Sequence, residues 1–115
     1  MKKYALFAFN GEAMCFVHVL LNALEFHRKG YVVKVIIEGS ATRLVKELAD
    51  ETQPFAKLYQ RIKNEGLIDC ICEACSSKMG AHDAAVEQNL TLCNELNGHP
   101  SIEKYVSMGY KIFTF

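Results

Sequence analysis

The sequence has no excess of charge of either sign, because 13 lysine and arginine residues are balanced by 13 aspartate and glutamate residues. No run of like charge extends beyond a few residues. A nucleic-acid-binding surface or a membrane-binding patch is therefore not expected. Low-complexity tracts are also lacking, and half of the 115 residues are hydrophobic. This composition predicts a single globular domain over residues 1–115 with a sizeable core.

A long hydrophobic run is lacking as well. The segment MKKYALFAF resembles the start of a signal peptide, but its apolar stretch stops at Asn10-Gly11-Glu12 and no small-residue cleavage site follows. We therefore expect the protein to stay in the cytoplasm. Because that compartment keeps thiols reduced, the five cysteines are expected to be thiols, metal ligands or catalytic groups rather than a disulfide framework.

Strand-like and helix-like segments alternate along the chain. Short apolar or β-branched runs predict strands at residues 4–9, 31–38, 67–72 and 110–115, with a further short strand near 90–93. Helical spacing predicts helices near residues 12–29, 41–48, 54–65, 73–79 and 100–108, two of which begin at the only prolines. Most of the segment 81–98 shows no clear pattern. The alternation predicts an α/β fold, a mainly parallel sheet of four to five strands with helices on both faces.

Candidate site residues follow the carboxyl ends of the predicted strands, where open α/β sheets bind ligands. Asn10, Gly11 and Glu12 follow the first strand, and Cys72 to Ser76 follow the third. A 2-1-3 strand order would bring Asn10 and Gly11 beside Cys72, so Asn10, Gly11, Glu12 and Ser76 are the candidate ligand-binding residues. Simpler alternatives stay open, since Asn10-Gly11 can be a tight turn and Glu12 can favour the positive end of its helix.

Three of the five cysteines lie within the stretch CICEACSSKMG, residues 70–80. Cys70 is expected in the core, because free cysteine is among the most buried residue types. Cys15, in the first turn of its helix, can face the same edge as Cys72, but a core position is the simpler expectation. Cys72 and Cys75 bracket the turn from strand to helix, where backbone N–H groups and the helix dipole favour a thiolate. These two are the candidate catalytic residues, with Cys72 expected to react first. A purely structural role is the alternative.

This region resembles the DsrE/DsrF-like sulfur-relay family, whose members carry a cysteine eight positions before a glycine, as Cys72 and Gly80 do here. The opening strand, turn and long helix, the segment GYVVKV and the closing segment MGYKIF resemble that family in their order. The resemblance implies a three-layer α/β/α sandwich and a trimeric or hexameric assembly. It also implies that Cys72 accepts sulfur as a persulfide, with sulfur donor and acceptor proteins as partners and no cofactor required.

A metal site is the alternative interpretation of the cysteines. Cys72 and Cys75 form a C-x2-C pair, and Cys93 with His99 or His82 supplies further ligands for zinc or an iron–sulfur cluster. The C-x2-C pair also fits a dithiol redox motif. In the metal interpretation the chain is a non-catalytic oligomeric module that binds a metal or a small anionic ligand at its cysteine-rich edge.

Two further expectations concern single elements. The predicted helix near residues 12–29 is apolar around more than half of its circumference, so part of it is expected to pack against another copy of the chain. Asp69 lies inside an apolar strand and is expected to need a hydrogen-bond partner if it is buried.

Overall fold

A computed structural model describes residues 1–115. Five strands are separated by one or two helices each, six helices in all, with a short 3-10 turn at Gly39–Thr42. In chain order they are β1 (Lys3–Ala8), α1 (Ala13–Arg28), β2 (Val32–Ile37), α2 (Arg43–Glu47), α3 (Ala56–Asn64), β3 (Ile68–Cys72), α4 (Glu73–Lys78), α5 (His82–Glu87), β4 (Leu92–Cys93), α6 (Ile102–Ser107) and β5 (Lys111–Thr114).

The five strands form one parallel sheet in the order β4-β3-β2-β1-β5. From β1 to β4 each crossover moves in the same direction across the sheet. The chain then reverses through α6 and places β5 on the free side of β1. Right-handed crossovers require the helices before the reversal and the helix at the reversal to lie on opposite faces. The reversal therefore explains why the sheet is covered on both sides.

Two apolar clusters fill the space on the two faces of the sheet. The larger contains 19 buried residues and joins the sheet to α1, α2, α3 and α5, with Phe16, Leu44, Tyr59 and Ala85 as one member from each helix. The smaller has seven buried residues and packs Tyr105 of α6 against the opposite face. The α/β fold with helices on both faces, predicted from the sequence, is confirmed.

The strand order differs from the 2-1-3 arrangement considered above. The neighbours of β3 are β2 and β4, not β1. Strand β2 therefore separates the end of β1 from Cys72. The sequence pattern shows which segments are strands but not the direction of each crossover, and that direction decides which strands are neighbours.

Both prolines precede their helices instead of occupying the first helical position. The helix after Pro54 begins at Ala56, and Phe55 between them adopts a left-handed conformation with φ of 72°. The helix after Pro100 begins at Ile102, because Ser101 caps it by accepting a hydrogen bond from the backbone N–H of Lys104 at 3.3 Å. None of the helices has the length and apolar character needed to cross a membrane.

Candidate metal centre

Cys72, Cys75 and His99 meet at the carboxyl edge of the sheet. Cys72 is the last residue of β3 and the N-cap of α4, and Cys75 lies in the first turn of that helix. His99 comes from the segment between β4 and α6. Two parts of the chain therefore converge, and one of them carries both cysteines in C-x2-C spacing.

A tight turn holds His99 in place. Asn97 and Gly98 both have positive φ, 50° and 89°, and the backbone groups of Leu96 and His99 bond to each other across the turn. The Gly98 carbonyl accepts a hydrogen bond from the backbone N–H of Ala74 at 3.0 Å, which ties the turn to α4. A side chain at position 98 would lie only 3.1 Å from the Ala74 methyl group. The Asn-Gly pair thus allows the close approach that brings His99 to the cysteines.

The ligand atoms of the three residues lie close together. His99 Nδ1 is 3.2 Å from Cys72 Sγ and 3.6 Å from Cys75 Sγ. All three atoms lie within 4.8 Å of one another. The backbone N–H of Cys75 donates a hydrogen bond to Cys72 Sγ at 3.4 Å. Two sulfur atoms and one imidazole nitrogen are therefore close enough to bind a single metal ion.

The two thiols differ in burial. Cys72 is fully buried, whereas Cys75 is partly exposed. Burial raises the pKa of the Cys72 thiol to about 12, and the Cys75 thiol hydrogen-bonded to it adds to this rise. The predicted lowering of this pKa at the strand end is therefore wrong. The reason is that burial outweighs the dipole of α4, which has only six residues.

Glu38 is a member of the site that the sequence reasoning did not identify. It follows β2, the strand next to β3, and lines a surface cavity of about 480 Å³ together with His99. Burial raises the pKa of the Glu38 carboxyl, and the nearby His99 partly opposes the rise. The rule that sites lie at the carboxyl ends of strands could have found this residue, because it follows the predicted second strand directly.

Cys93 lies outside the cluster while it is bonded to Cys70, so the oxidised chain does not offer it as the metal ligand that the sequence predicts. It forms a disulfide with Cys70, with the two Cα atoms 5.7 Å apart. Both cysteines lie in the smaller core cluster and are almost fully buried. The burial expected for Cys70 is confirmed, but the expectation of five thiols or ligands without a disulfide is wrong. Pairing between β3 and β4, which the sequence pattern does not reveal, brings the two cysteines together.

The predicted ligand-binding residues of the first loop are engaged with their neighbours. The Gly11 N–H donates to Ser40 Oγ at 2.8 Å, and the Asn10 side chain accepts from the N–H of Glu12 at 2.8 Å. A Cβ atom on Gly11 would lie 2.6 Å from the Ser40 carbonyl oxygen. The loop is thus packed against the turn after β2, and β2 separates it from Cys72, so the predicted grouping with Cys72 is wrong.

Ser76 and the other candidate ligands also lie apart from the three converging atoms. The Ser76 hydroxyl is buried and donates to the Glu73 carbonyl at 3.0 Å, which leaves it turned toward its own helix. His82 lies at the start of α5, where its Nδ1 is 3.5 Å from an Asp83 carboxylate oxygen. Cys15 is a partly exposed free cysteine on α1 rather than a fully buried core residue.

Comparison with known proteins identifies relatives of this chain. No protein-family model matches it. It is 36% identical over 96 residues to the uncharacterized protein MJ0733 of Methanocaldococcus jannaschii, an alignment that spans 84% of this chain and 76% of that protein. The chain belongs to the family of this protein. An uncharacterized protein of Archaeoglobus fulgidus is 43% identical over 49 residues, which cover 43% of this chain and 80% of the relative.

A solved structure shares the architecture. The conserved protein of unknown function BT1422 from Bacteroides thetaiotaomicron superimposes with a TM-score of 0.70 over 99% of this chain and 95% of that one, at 16% identity. At this identity the likeness shows the fold alone. Because both sequence relatives are uncharacterized, membership of their family brings no activity to this chain, and function has to be argued from the site.

Proposed function

We propose that the chain binds a zinc ion through Cys72, Cys75 and His99 and leaves a fourth coordination position open. The observation that carries the proposal is the spacing of the ligand atoms. Zn–S bonds of about 2.3 Å and Zn–N bonds of about 2.0 Å put the ligands of a tetrahedral site roughly 3.5 to 3.8 Å apart. The sulfur-to-nitrogen distances of 3.2 and 3.6 Å are close to that spacing, so little movement is needed to accommodate the ion.

The donor set suits zinc chemically. Zinc accepts both thiolate and imidazole ligands, and sites with three protein ligands leave one position for water or substrate. The N–H of Cys75, which points at Cys72 Sγ, stabilises negative charge on that sulfur once the metal displaces the thiol proton. Iron–sulfur clusters generally use four cysteines, whereas this cluster offers two, so zinc is the metal we favour.

Metal analysis of purified protein tests the proposal. Anaerobically purified chain should hold close to one zinc per chain, and removal of zinc by a chelator should lower the melting temperature. Cys72→Ser, Cys75→Ser and His99→Ala should each lose most of the bound zinc. Cys15→Ser and His82→Ala are matched controls, because they change the same residue types outside the cluster and should keep full occupancy. Equal zinc content in cluster variants and controls, or none in the unchanged chain, would refute the proposal.

Sulfur handling is the second function that we propose, as the resemblance to the DsrE/DsrF-like family implies, in a protein that we expect in the cytoplasm. The favouring observation is that Cys75 is partly exposed, with His99 Nδ1 3.6 Å away to accept its proton. The Cys75 thiolate attacks the outer sulfur of a donor persulfide, forms a new S–S bond and releases the donor thiolate. Cys72, to which the family resemblance gives the sulfur-accepting role, can then resolve the Cys75 persulfide as a disulfide and release hydrosulfide.

Mass spectrometry separates this function from zinc binding. Incubation of the metal-free Cys72→Ser variant, in which the persulfide cannot be resolved, with a persulfide donor should add about 32 Da, one sulfur atom, to the peptide that contains Cys75. Combined with that variant, Cys75→Ser should lose the added mass and Cys15→Ser should keep it. Bound zinc should suppress the addition, because the metal occupies the same sulfur atoms. A chain that never gains sulfur at Cys72 or Cys75 lacks this function, whatever its zinc content.

A further inference from the structure

Cys93, the disulfide partner of Cys70, is also paired with Cys72 across the sheet. Cys93 is the register partner of Cys72 across the parallel β3–β4 ladder, which puts their Cα atoms about 4.8 Å apart. The corresponding distance from Cys93 to Cys70 is 5.7 Å. Residues paired in a parallel ladder point to the same face of the sheet, and so do Cys70 and Cys72, two positions apart on β3. A rotation about the Cα–Cβ bond of Cys93 therefore moves its sulfur from one neighbour to the other.

The two halves of the disulfide are held differently. Cys70 lies on β3, which has a strand on each side, and its sulfur is 3.6 Å from the Tyr105 hydroxyl. That hydroxyl gives the Cys70 thiol a partner after the disulfide opens. Cys93 lies on β4, a two-residue strand at the edge of the sheet. On reduction, Cys70 keeps its place and Cys93 is the sulfur that is free to move.

We infer that reduction of the Cys70–Cys93 disulfide supplies Cys93 as the fourth ligand of the metal site, so that the redox state decides whether the zinc ion has an open coordination position. This inference rests on the zinc site proposed above. The oxidised chain holds zinc through Cys72, Cys75 and His99 with one position open to a small molecule. The reduced chain holds it through three thiolates and one imidazole, a closed set typical of structural zinc sites.

A dithiol can reduce the Cys70–Cys93 disulfide by thiol–disulfide exchange. The dithiol transfers two electrons and two protons, its own sulfurs form a disulfide, and Cys70 and Cys93 become thiols. Zinc, already held by the thiolates of Cys72 and Cys75, then binds Cys93, which releases its one proton to solvent, while Cys70 stays a thiol. Oxidation of Cys70 and Cys93 returns both electrons to an oxidised dithiol and reopens the coordination position.

The test compares the oxidised and the reduced full-length chain loaded with cobalt(II) or zinc. On reduction by a phosphine and anaerobic desalting, the thiolate-to-cobalt charge-transfer absorbance should rise by about half, because three thiolates replace two. Zinc affinity, measured by competition with a chromophoric chelator, should also rise on reduction. The rise should exceed about 10- to 100-fold, the effect of a residue that only hydrogen-bonds to a metal ligand, because Cys93 binds the metal directly. Zinc should also slow the alkylation of Cys93 in the reduced chain.

Cysteine variants separate a failure of Cys93 as the fourth ligand from a failure of the zinc site itself. Cys93→Ser should keep the weaker affinity with or without reductant, whereas Cys70→Ser should show the tighter affinity in both conditions. Cys15→Ser should behave like the unchanged chain. If oxidised and reduced chains bind zinc equally and give the two-thiolate cobalt spectrum, the inference is wrong while the zinc site stands. If neither form binds zinc or cobalt, the zinc site itself is wrong. The measurements on the unchanged chain hold even if Cys70→Ser fails to fold.

Discussion

The hydroxyl group of Tyr105 on α6 donates a hydrogen bond to the carboxylate of Asp69 on β3. The other carboxylate oxygen lies 3.4 Å from the Lys34 ammonium nitrogen. Asp69 is only partly buried, and both of its carboxylate oxygens have a partner. Burial, together with the hydrogen bond to Asp69, raises the pKa of Tyr105. The pair anchors α6, the helix that covers the second face of the sheet.

Tyr105→Phe should lower the free energy of unfolding by about 1.5 to 3 kcal/mol, the usual range for a hydrogen bond to a charged group. Urea denaturation of the metal-free protein measures the change. Tyr31→Phe is the control, because the Tyr31 hydroxyl has only an exposed contact with Lys2 at 3.4 Å and should cost less than about 0.5 kcal/mol. Equal effects of the two substitutions would show that the Asp69 contact adds no stability.

Alkylation of the metal-free chain should label Cys75 before Cys72. Cys75 is partly exposed, whereas Cys72 is fully buried and its thiol pKa is raised to about 12. Iodoacetamide treatment at neutral pH followed by peptide mass spectrometry measures the order, in a Cys15→Ser background that removes the cysteine of α1. Cys70 and Cys93 should stay unlabelled until the disulfide is reduced. Labelling of Cys72 first would instead restore the order expected from the sequence.

Alkaline pH should destabilise the metal-free protein. The unfolded Cys72 thiol loses its proton near its ordinary pKa of 9.0, whereas the folded thiol keeps its proton up to about 12. Unfolding therefore releases a proton in this window, and stability falls as the pH rises through it. Burial raises the pKa of Tyr59 as well, which adds to the loss. The urea concentration at the midpoint of denaturation, measured from pH 8 to about 11, should fall more steeply with pH for the unchanged chain than for Cys72→Ala. Parallel declines would mean that Cys72 does not carry the effect.

A homo-oligomer, trimeric or hexameric as the family resemblance implies, is proposed to form through α1. Met14 and Leu21 are 64% and 49% exposed and lie seven residues apart, which puts them on one stripe of the helix. Light scattering at micromolar concentration should give a multiple of the 13.0 kDa chain mass. The pair Met14→Glu and Leu21→Glu should reduce it to one chain, whereas Val86→Glu, at an exposed position on α5, should not. A monomeric unchanged chain would end this proposal.

Local pattern was enough to predict the type of most elements. The β-branched run before Glu38 and the helical spacing of Phe16, Leu20 and Ala23 correspond to β2 and α1, because period and residue type are local properties. Leu21 shows the limit of this reasoning. It belongs to the wide apolar face of the helix predicted near residues 12–29, yet it is half exposed, since the neighbours of a helix decide which part of such a face is covered.

The candidate site was predictable only in part. Residue chemistry identifies the C-x2-C pair and offers His99 or His82 as the histidine ligand. The choice between the two histidines depends on the Asn97-Gly98 turn, which only the structure shows. The pairing of Cys70 with Cys93 and the place of Glu38 depend on which strands are neighbours. Strand order follows from crossover direction, and one sequence gives no measure of it. The same limit explains why Asn10 and Gly11 were wrongly grouped with Cys72.

The position of β1 between β2 and β5 has a consequence for synthesis of the chain on the ribosome. Tyr4 pairs with Val33 on one side and with Lys111 on the other. Strand β5, which carries Lys111, is translated only after all the other strands and helices. Until then the apolar strand β1 has one edge whose backbone groups are unpaired. Such edges are where nascent chains associate with each other or with chaperones. The interval between translation of β2 and translation of β5 is therefore a period in which this edge of β1 is open to misassembly.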